Sequence, residues 1–280
     1  MSTQATVYGI QTTLQNLLGL PDTPVQYGTV NEALNILPNM APPQNSRRKL
    51  GWFGISNKGH TFNTDAAGIS TMVEIPSSTT TSGLPNNLPF ILRKTDNDLT
   101  SEERKKYRGR KIVKYNGVNW IGYHLKAFHN TPEVELSYVM QRDGKSVRST
   151  FTPTLNDLHP EPDPILDTTP SNILSEGDEA GCVVTVELNM TREEIIEFRT
   201  AMSIVFGNAS LAIISKISIV SGHDVAIDGT EDGSNVPRNE LLNGVIHHFV
   251  STSSVITQST SLLSLEVNIG VMEPVRNFSW

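Results

Sequence analysis

The sequence predicts an α+β fold, mostly antiparallel β-sheets with a few helices and long extended arms. Three observations carry this expectation. Two permissive turn dipeptides, Asn116-Gly117 and Asp143-Gly144, each separate a pair of strand-like runs. One segment beginning at Thr191 has the cap, the acidic first turn and the apolar spacing of a helix. The 280 residues include 20 glycines and 16 prolines with 37% hydrophobic residues, which favours strands and irregular connections over a helical bundle.

Taken in order, residues 8–37 read as one or two short helices. Leu14, Leu17 and Leu18 make an apolar stripe that Gly19 and Pro21 stop. Thr29 caps a second helix, with Glu32 three places on. Pro38, Pro42 and Pro43 then force an extended connection. Arg47, Arg48 and Lys49 precede a strand-like segment with two glycines, and 60–86, including SSTTTSG, reads as a long loop suited to an arm over another subunit. A short strand at 88–93 and a helix capped by Thr100 or Ser101 lead into the first hairpin, Lys111–Tyr115 with Asn119–Phe128. The second pairs Glu133–Arg142 with Lys145–Thr152.

Five prolines and seven acidic residues, with no basic ones, mark 153–179 as a linker or arm. Cys182–Leu188 is a strand. The Thr191 helix places Ile195, Phe198, Met202 and Val205 on one face and ends at Gly207-Asn208. Leu211–Val220 is a central strand or a buried helix, 221–237 a polar loop, Glu240–Phe249 a helix, and Leu262–Val271 an alternating strand. The expected organisation has four parts. Residues 1–87 form an N-terminal helical segment and arm, and 88–152 a small antiparallel domain with one helix. Residues 153–179 form the acidic arm, and 180–280 a C-terminal α+β domain.

The net charge of −7 hides an asymmetry. Residues 1–148 carry 17 basic and 11 acidic side chains, and residues 149–280 carry 5 and 18. Opposite charge in the two parts can guide an array of copies. The single cysteine, Cys182, excludes an internal disulfide and a site built on thiolates alone, and suits a reducing compartment. The N-terminus lacks the basic flank and apolar core of a signal peptide, and no run reaches the roughly 18 apolar residues of a membrane span.

Motifs for chemistry are sparse. No histidine pair has HExxH spacing, and the odd separation of His124 and His129 puts them on opposite strand faces. On a helix, His247 and His248 would point about 100 degrees apart, one packed and one wet. His223-Asp224 has no serine in a GxSxG elbow to serve, and Cys182 reads as a buried inert thiol. GWFG at 51–54 fits no phosphate loop, and Asp224, Asp228, Glu231 and Asp232 miss the EF-hand template. The sequence therefore calls for no enzyme activity, cofactor, metal or small-molecule substrate.

One charged feature stands out. Arg104, Lys105, Lys106, Arg108, Arg110 and Lys111, with Lys114, lie beside Tyr107, Tyr115, Trp120 and Tyr123. Such interleaving can bind single-stranded nucleic acid. The acidic balance of the chain argues against that partner and for an acidic protein surface, such as the Pro-rich arm of another copy.

LPFILRKTDNDLTSEERKKYRGRKIVKYNGVNWIGYHLKAF resembles a segment of the virion structural proteins of large tailed bacteriophages. TREEIIEFRTAMSIVFGNASLAIISKISIVSGHD and, beyond a polar loop, VIHHFVSTSSVITQSTSLLSLEVNIGVMEP do so too. The resemblance implies a tail, baseplate or neck component, made in the host cytoplasm and present in many copies in the virion. It would contact copies of itself and other virion proteins, and no membrane. It carries over no catalytic residue. The alternatives are a nucleic-acid or host-receptor binder and a glycan-hydrolysing tail enzyme, which needs two carboxyls about 5 to 9 Å apart in a cleft.

Overall fold

The computed structural model describes residues 2–20, 30–37, 40–43, 46–77, 83–84, 86–130, 133–143, 145–152, 179–231, 234–257 and 259–274. The expected cap Thr29, Pro38, Gly144, Asp232-Gly233 and nearly all of the acidic arm 153–179 lie outside them.

The chain opens with β1 (Ser2–Ala5), α1 (Val7–Leu17), α2 (Val30–Ala33) and β2 (Lys49–Ser56). β3 (His60–Thr64), β4 (Ser70–Glu74), β5 (Asn87–Leu88), β6 (Ile91–Lys94) and α3 (Ser101–Arg104) follow. Next come β7 (Tyr107–Tyr115), β8 (Val118–Ala127), β9 (Val134–Arg142) and β10 (Lys145–Phe151). The rest is β11 (Glu179–Met190), α4 (Arg192–Phe206), β12 (Ile213–Ile227), β13 (Thr230–Glu231), β14 (Ser234–Asn235), β15 (Arg238–Val255) and β16 (Leu263–Pro274). The protein is of the α+β class, built mostly of antiparallel β-sheets.

Two compact units result, and neither is continuous in sequence. The first is Met1–His129 with Leu188–Leu265, and the second is Asn130–Glu187 with Glu266–Trp280. The first holds an eight-stranded sheet in the order β1-β15-β12-β2-β8-β6, with β5 on β2 and β7 on β8. The second holds the sheet β10-β9-β11-β16. The region 88–152, expected to form one small sheet, is therefore shared between two sheets. Its second hairpin finds its neighbour in β11, across the acidic segment, and not in its own first hairpin.

Local signals placed the hairpins and the main helix. Asn116 and Gly117 have φ of 49° and 80°, the left-handed pair that a two-residue hairpin turn demands. Asp143 has φ of 50° at the second turn. Thr100 and Thr191 both close capping boxes, with Glu103 and Glu194 respectively. Gly207, at φ 72°, ends α4. Replacing Thr191 by alanine removes an acceptor for the Glu194 N–H and should lower the unfolding free energy by about 1 kcal/mol. Denaturant titration measures this, and an unchanged midpoint would contradict it.

Three expectations are corrected. Residues 238–255, expected as a helix over Glu240–Phe249, form the strand β15. Leu241 to Ile246 are buried without interruption, so the period-2 signature of a half-exposed strand is missing. Residues 221–227 are no polar loop. They continue β12, whose buried run extends from Ile214 to His223. The stretch 60–86 is not structureless. It contains the β3–β4 hairpin, closed where Asp65 Oδ1 accepts the N–H groups of Ala67 and Ile69 at 2.9 and 2.8 Å.

The first unit's core includes Trp52, Leu125, Val220, Leu241, Ile246 and Phe249 from the sheet. Val30, Leu34 and Ile36 pack on them from α2 and the residues after it. Ile195, Phe198, Ala201 and Met202 of α4 are buried, and Val205, expected on the same face, is half-buried.

A β-bulge fixes α1. Ile219 pairs with His248 and Val220 pairs with Ile246, so His247 is the extra residue on β15. The Thr6 N–H donates to the His247 carbonyl at 2.9 Å, and Gly9 lies so close that a Cβ there would stand 2.7 Å from that same oxygen. Gly9 and Thr12 are the buried residues of α1. The apolar stripe faces the other way: Ile10 is 54%, Leu14 53%, Leu17 79% and Leu18 68% exposed.

Candidate functional site

The arginines of the basic run are held by carboxylates of the first unit. Arg104 Nη2 and Arg110 Nε both donate to Asp98 Oδ2, at 2.8 and 2.9 Å. Asp98 Oδ1 accepts from the Tyr123 hydroxyl and the Leu99 N–H, each at 2.8 Å. These donors fill the carboxylate's acceptor sites. Burial pushes the Asp98 carboxyl up, but Tyr123, Arg110, the Leu99 N–H and Arg104 together outweigh it and hold it below its ordinary range.

Arg108 is set deeper. Its Nε and Nη2 grip both oxygens of Asp224 at 2.6 and 3.0 Å. Its Nη1 donates to the carbonyls of Arg104, Lys105 and Tyr107, at 3.0, 3.2 and 2.7 Å, and so satisfies the end of α3. Beside it, the Glu240 carboxylate is buried on β15. Oε1 accepts the N–H groups of Gly109 at 2.7 Å and Leu241 at 2.8 Å, and Oε2 accepts that of Arg110 at 3.0 Å. Gly109 has φ of 70°, a conformation that favours glycine. Burial raises the Glu240 carboxyl above its ordinary range, and the N–H groups and Arg108 offset part of that.

The three lysines of the run differ. Lys105 and Lys106 are exposed and Lys111 is half-buried on β7. Lys105 pairs with neighbouring Glu102, at 2.6 Å in solvent, a contact of little energetic weight. The six residues singled out in the sequence thus separate into three arginines that brace the fold and three lysines that retain solvent contact.

A second network lies under α4. Arg93 of β6 makes a bidentate pair with Glu197 at 2.6 and 2.7 Å. Lys126 Nζ lies 3.1 Å from Glu194 Oε1 and donates to the Asn189 carbonyl at 2.9 Å. Burial lowers the Lys126 ammonium below its ordinary range, against the raising effect of Glu194. The Tyr107 hydroxyl donates to Glu194 Oε1 at 3.3 Å, and burial followed by the Glu194 charge raises that phenol. Glu194 therefore serves the helix cap and the sheet together.

His124 is buried on β8, while His129 lies beyond the end of that strand and is exposed. Burial, helped by the Lys111 charge, depresses His124 to about 4. His223 shares a 2.7 Å hydrogen bond with Ser46 Oγ, and Asp224 beside it is engaged by Arg108. The adjacent His247 and His248 do not diverge as they would on a helix. The bulge stacks their rings, with centroids 5.3 Å apart and planes 25° from parallel. Both are half-buried. Burial, then the neighbouring His248, depresses His247 to about 4. Cys182, expected to be buried, is half-buried on β11.

Open cavities among the described residues include two within single units. One of about 580 Å³ runs along α4 beside Arg192, Ile196, Arg199 and Ser203. One of about 780 Å³ in the second unit is lined by Glu133, Glu135, Phe151 and Glu187 among others. Among the described residues, no group of three or more His, Cys, Asp or Glu is placed to hold a metal ion. No helix among them is long and apolar enough to cross a membrane.

A family profile matches residues 1–278. The chain belongs to that family, a family of unknown function (DUF7208). No curated protein and no solved structure matches it. The match spans both units, so the ionic network and the outward α1 stripe lie within the family's region.

Asp98, Asp224 and Glu240 were not singled out as one set in the sequence. In the sequence Asp224 belongs to the His223-Asp224 pair and to the acidic loop weighed for a cation, and Glu240 to an expected helix. The available signal was a lone glutamate beside Leu241 and Leu242, which calls for a buried partner.

Proposed function

We propose that this chain is a structural component of a bacteriophage virion that braces or joins neighbouring subunits through protein–protein contacts. The observation that carries the reading is the way the surface is arranged. The arginines of the most basic run turn inward onto carboxylates, while apolar side chains of α1 and of the β3–β4 hairpin, including Ile69, Met72 and Val73, stand in solvent. Contiguous exposed apolar surface marks interaction sites. The likeness of three segments to tailed-phage virion proteins supplies the biological setting, with copies of the chain and other virion proteins as partners. The tail, baseplate or neck is the proposed location, reached after synthesis in the host cytoplasm. The chain has no chemistry of its own in this reading.

Peptide mass spectrometry of gradient-purified phage particles tests this directly. The chain should co-purify with particles at many copies each, and its absence from particles would overturn the proposal.

The remaining positive charge steers assembly in this reading. Changing Lys105, Lys106 and Lys111 to glutamate should slow assembly in low salt and matter less in high salt. Light-scattering kinetics at two ionic strengths would show it. An unchanged low-salt rate would refute steering, and loss of DNA binding instead would favour a nucleic-acid role.

A further inference from the structure

We infer that the outward face of α1 is a self-association surface whose occupant is α1 of a second copy, an inference that rests on the contact-based reading above. The face is Val7, Ile10, Leu14 and Leu17, continued by Leu18 and Leu20, each about half exposed or more. The steps between the first four are three, four and three residues, the seam spacing of paired helices. At about 100 degrees per residue these side chains fill one stripe, opposite Gly9 and Thr12. The buried side of α1 is thus already used, seated on the His247 bulge.

Charge selects the occupant. No Asp, Glu, Lys or Arg occurs from Ser2 to Leu20, in a chain whose net charge is −7. Like net charge sets a general repulsion between copies. A charge-free face with a regular seam meets its own image without like-charge cost, and a two-fold contact needs that self-complementarity. A membrane surface is disfavoured, because helices that lie on membranes carry Lys or Arg on their polar face and α1 has none.

Size sets the strength. The 11 residues of α1 span about 16 Å, so one helix pair buries less than the ~800 Å² per partner of a standard interface. The contact is weak between two free copies and gains from repetition in an array.

The test uses the full chain and two double variants, Leu14→Glu with Leu17→Glu and Leu14→Lys with Leu17→Lys. Sedimentation equilibrium up to about 1 mM covers the range in which so small a contact registers. The wild type should gain mass with concentration, each variant alone should stay monomeric, and their equimolar mixture should associate again. The melting temperatures should stay within a few degrees of wild type, since the substituted side chains are in solvent. Wild type and variants associating equally would overturn the α1 assignment while leaving a contact-based role intact. Loss of association in both variants without rescue on mixing would mean that α1 meets something other than another α1. A wild type that stays monomeric throughout would overturn the self-contact outright, whereas the virion role fails only if the chain is missing from particles.

Discussion

Replacing Glu240 by alanine should lower the unfolding free energy by about 3 to 5 kcal/mol, the range for breaking a buried charged network on one side. The carboxylate accepts the N–H groups of Gly109, Arg110 and Leu241, and alanine leaves all three without that acceptor. Each orphaned buried donor costs about 1 to 3 kcal/mol, less where water reaches it. The nearby Arg108 also loses the negative charge that faces it. Glutamine is the informative control. Its one oxygen, placed at Oε1, keeps the bonds from Gly109 and Leu241 and loses only that from Arg110. The glutamine variant should therefore fall well between wild type and alanine in a denaturant titration. If glutamine and alanine proved equally damaging, charge and not backbone satisfaction would be the main role of Glu240. If neither moved the midpoint, the network would be dispensable.

Stability should fall as the solution is acidified from about pH 6.5 to about pH 4, with buried histidine as the main cause. His124 and His247 are both depressed to about 4 in the fold, against about 6.5 in an unfolded chain. Their contribution is fully present above the unfolded value. It is lost as the pH drops through the folded value, because the unfolded state takes up protons first. At about 1.4 kcal/mol per pKa unit, His124 alone accounts for a loss on the order of 3 kcal/mol. His247 adds a loss of the same sign. Glu240 works in the opposite direction: its raised carboxyl takes a proton in the fold before it does so unfolded, which offsets part of the loss at the acid end. Asp98, held below its ordinary range, adds to the loss only once the pH passes below about 4. Unfolding midpoints at several pH values check this. A His124→Gln variant should show a shallower decline, and a slope equal to that of wild type would remove His124 from the explanation.

Much of the fold could be read where the signal was local. Asn116-Gly117 imposes its own turn, and Thr191 with Glu194 caps its own helix, because each device closes within a few residues. β15 was misread because both of its faces are covered, so burial erased the alternation that distinguishes a strand. The β3–β4 hairpin was missed for the opposite reason, since β4 is exposed along its whole length and shows no apolar pattern.

By itself, the sequence determined the class of fold, the two hairpins, the α4 helix and the presence of an apolar stripe on α1. Only the tertiary structure decided what the charges and that stripe do. Arg108 meets Asp224 across 116 residues of chain, and the Gly109 N–H meets Glu240 across 131. No local pattern announces such pairs, so a run that looked like a basic surface became largely an internal brace. For α1, amphipathic spacing fixes that one side is apolar but not which side packs. The β-bulge at His247 set that choice: it brought a backbone carbonyl so close that only small residues fit beneath the helix, leaving the leucines in solvent.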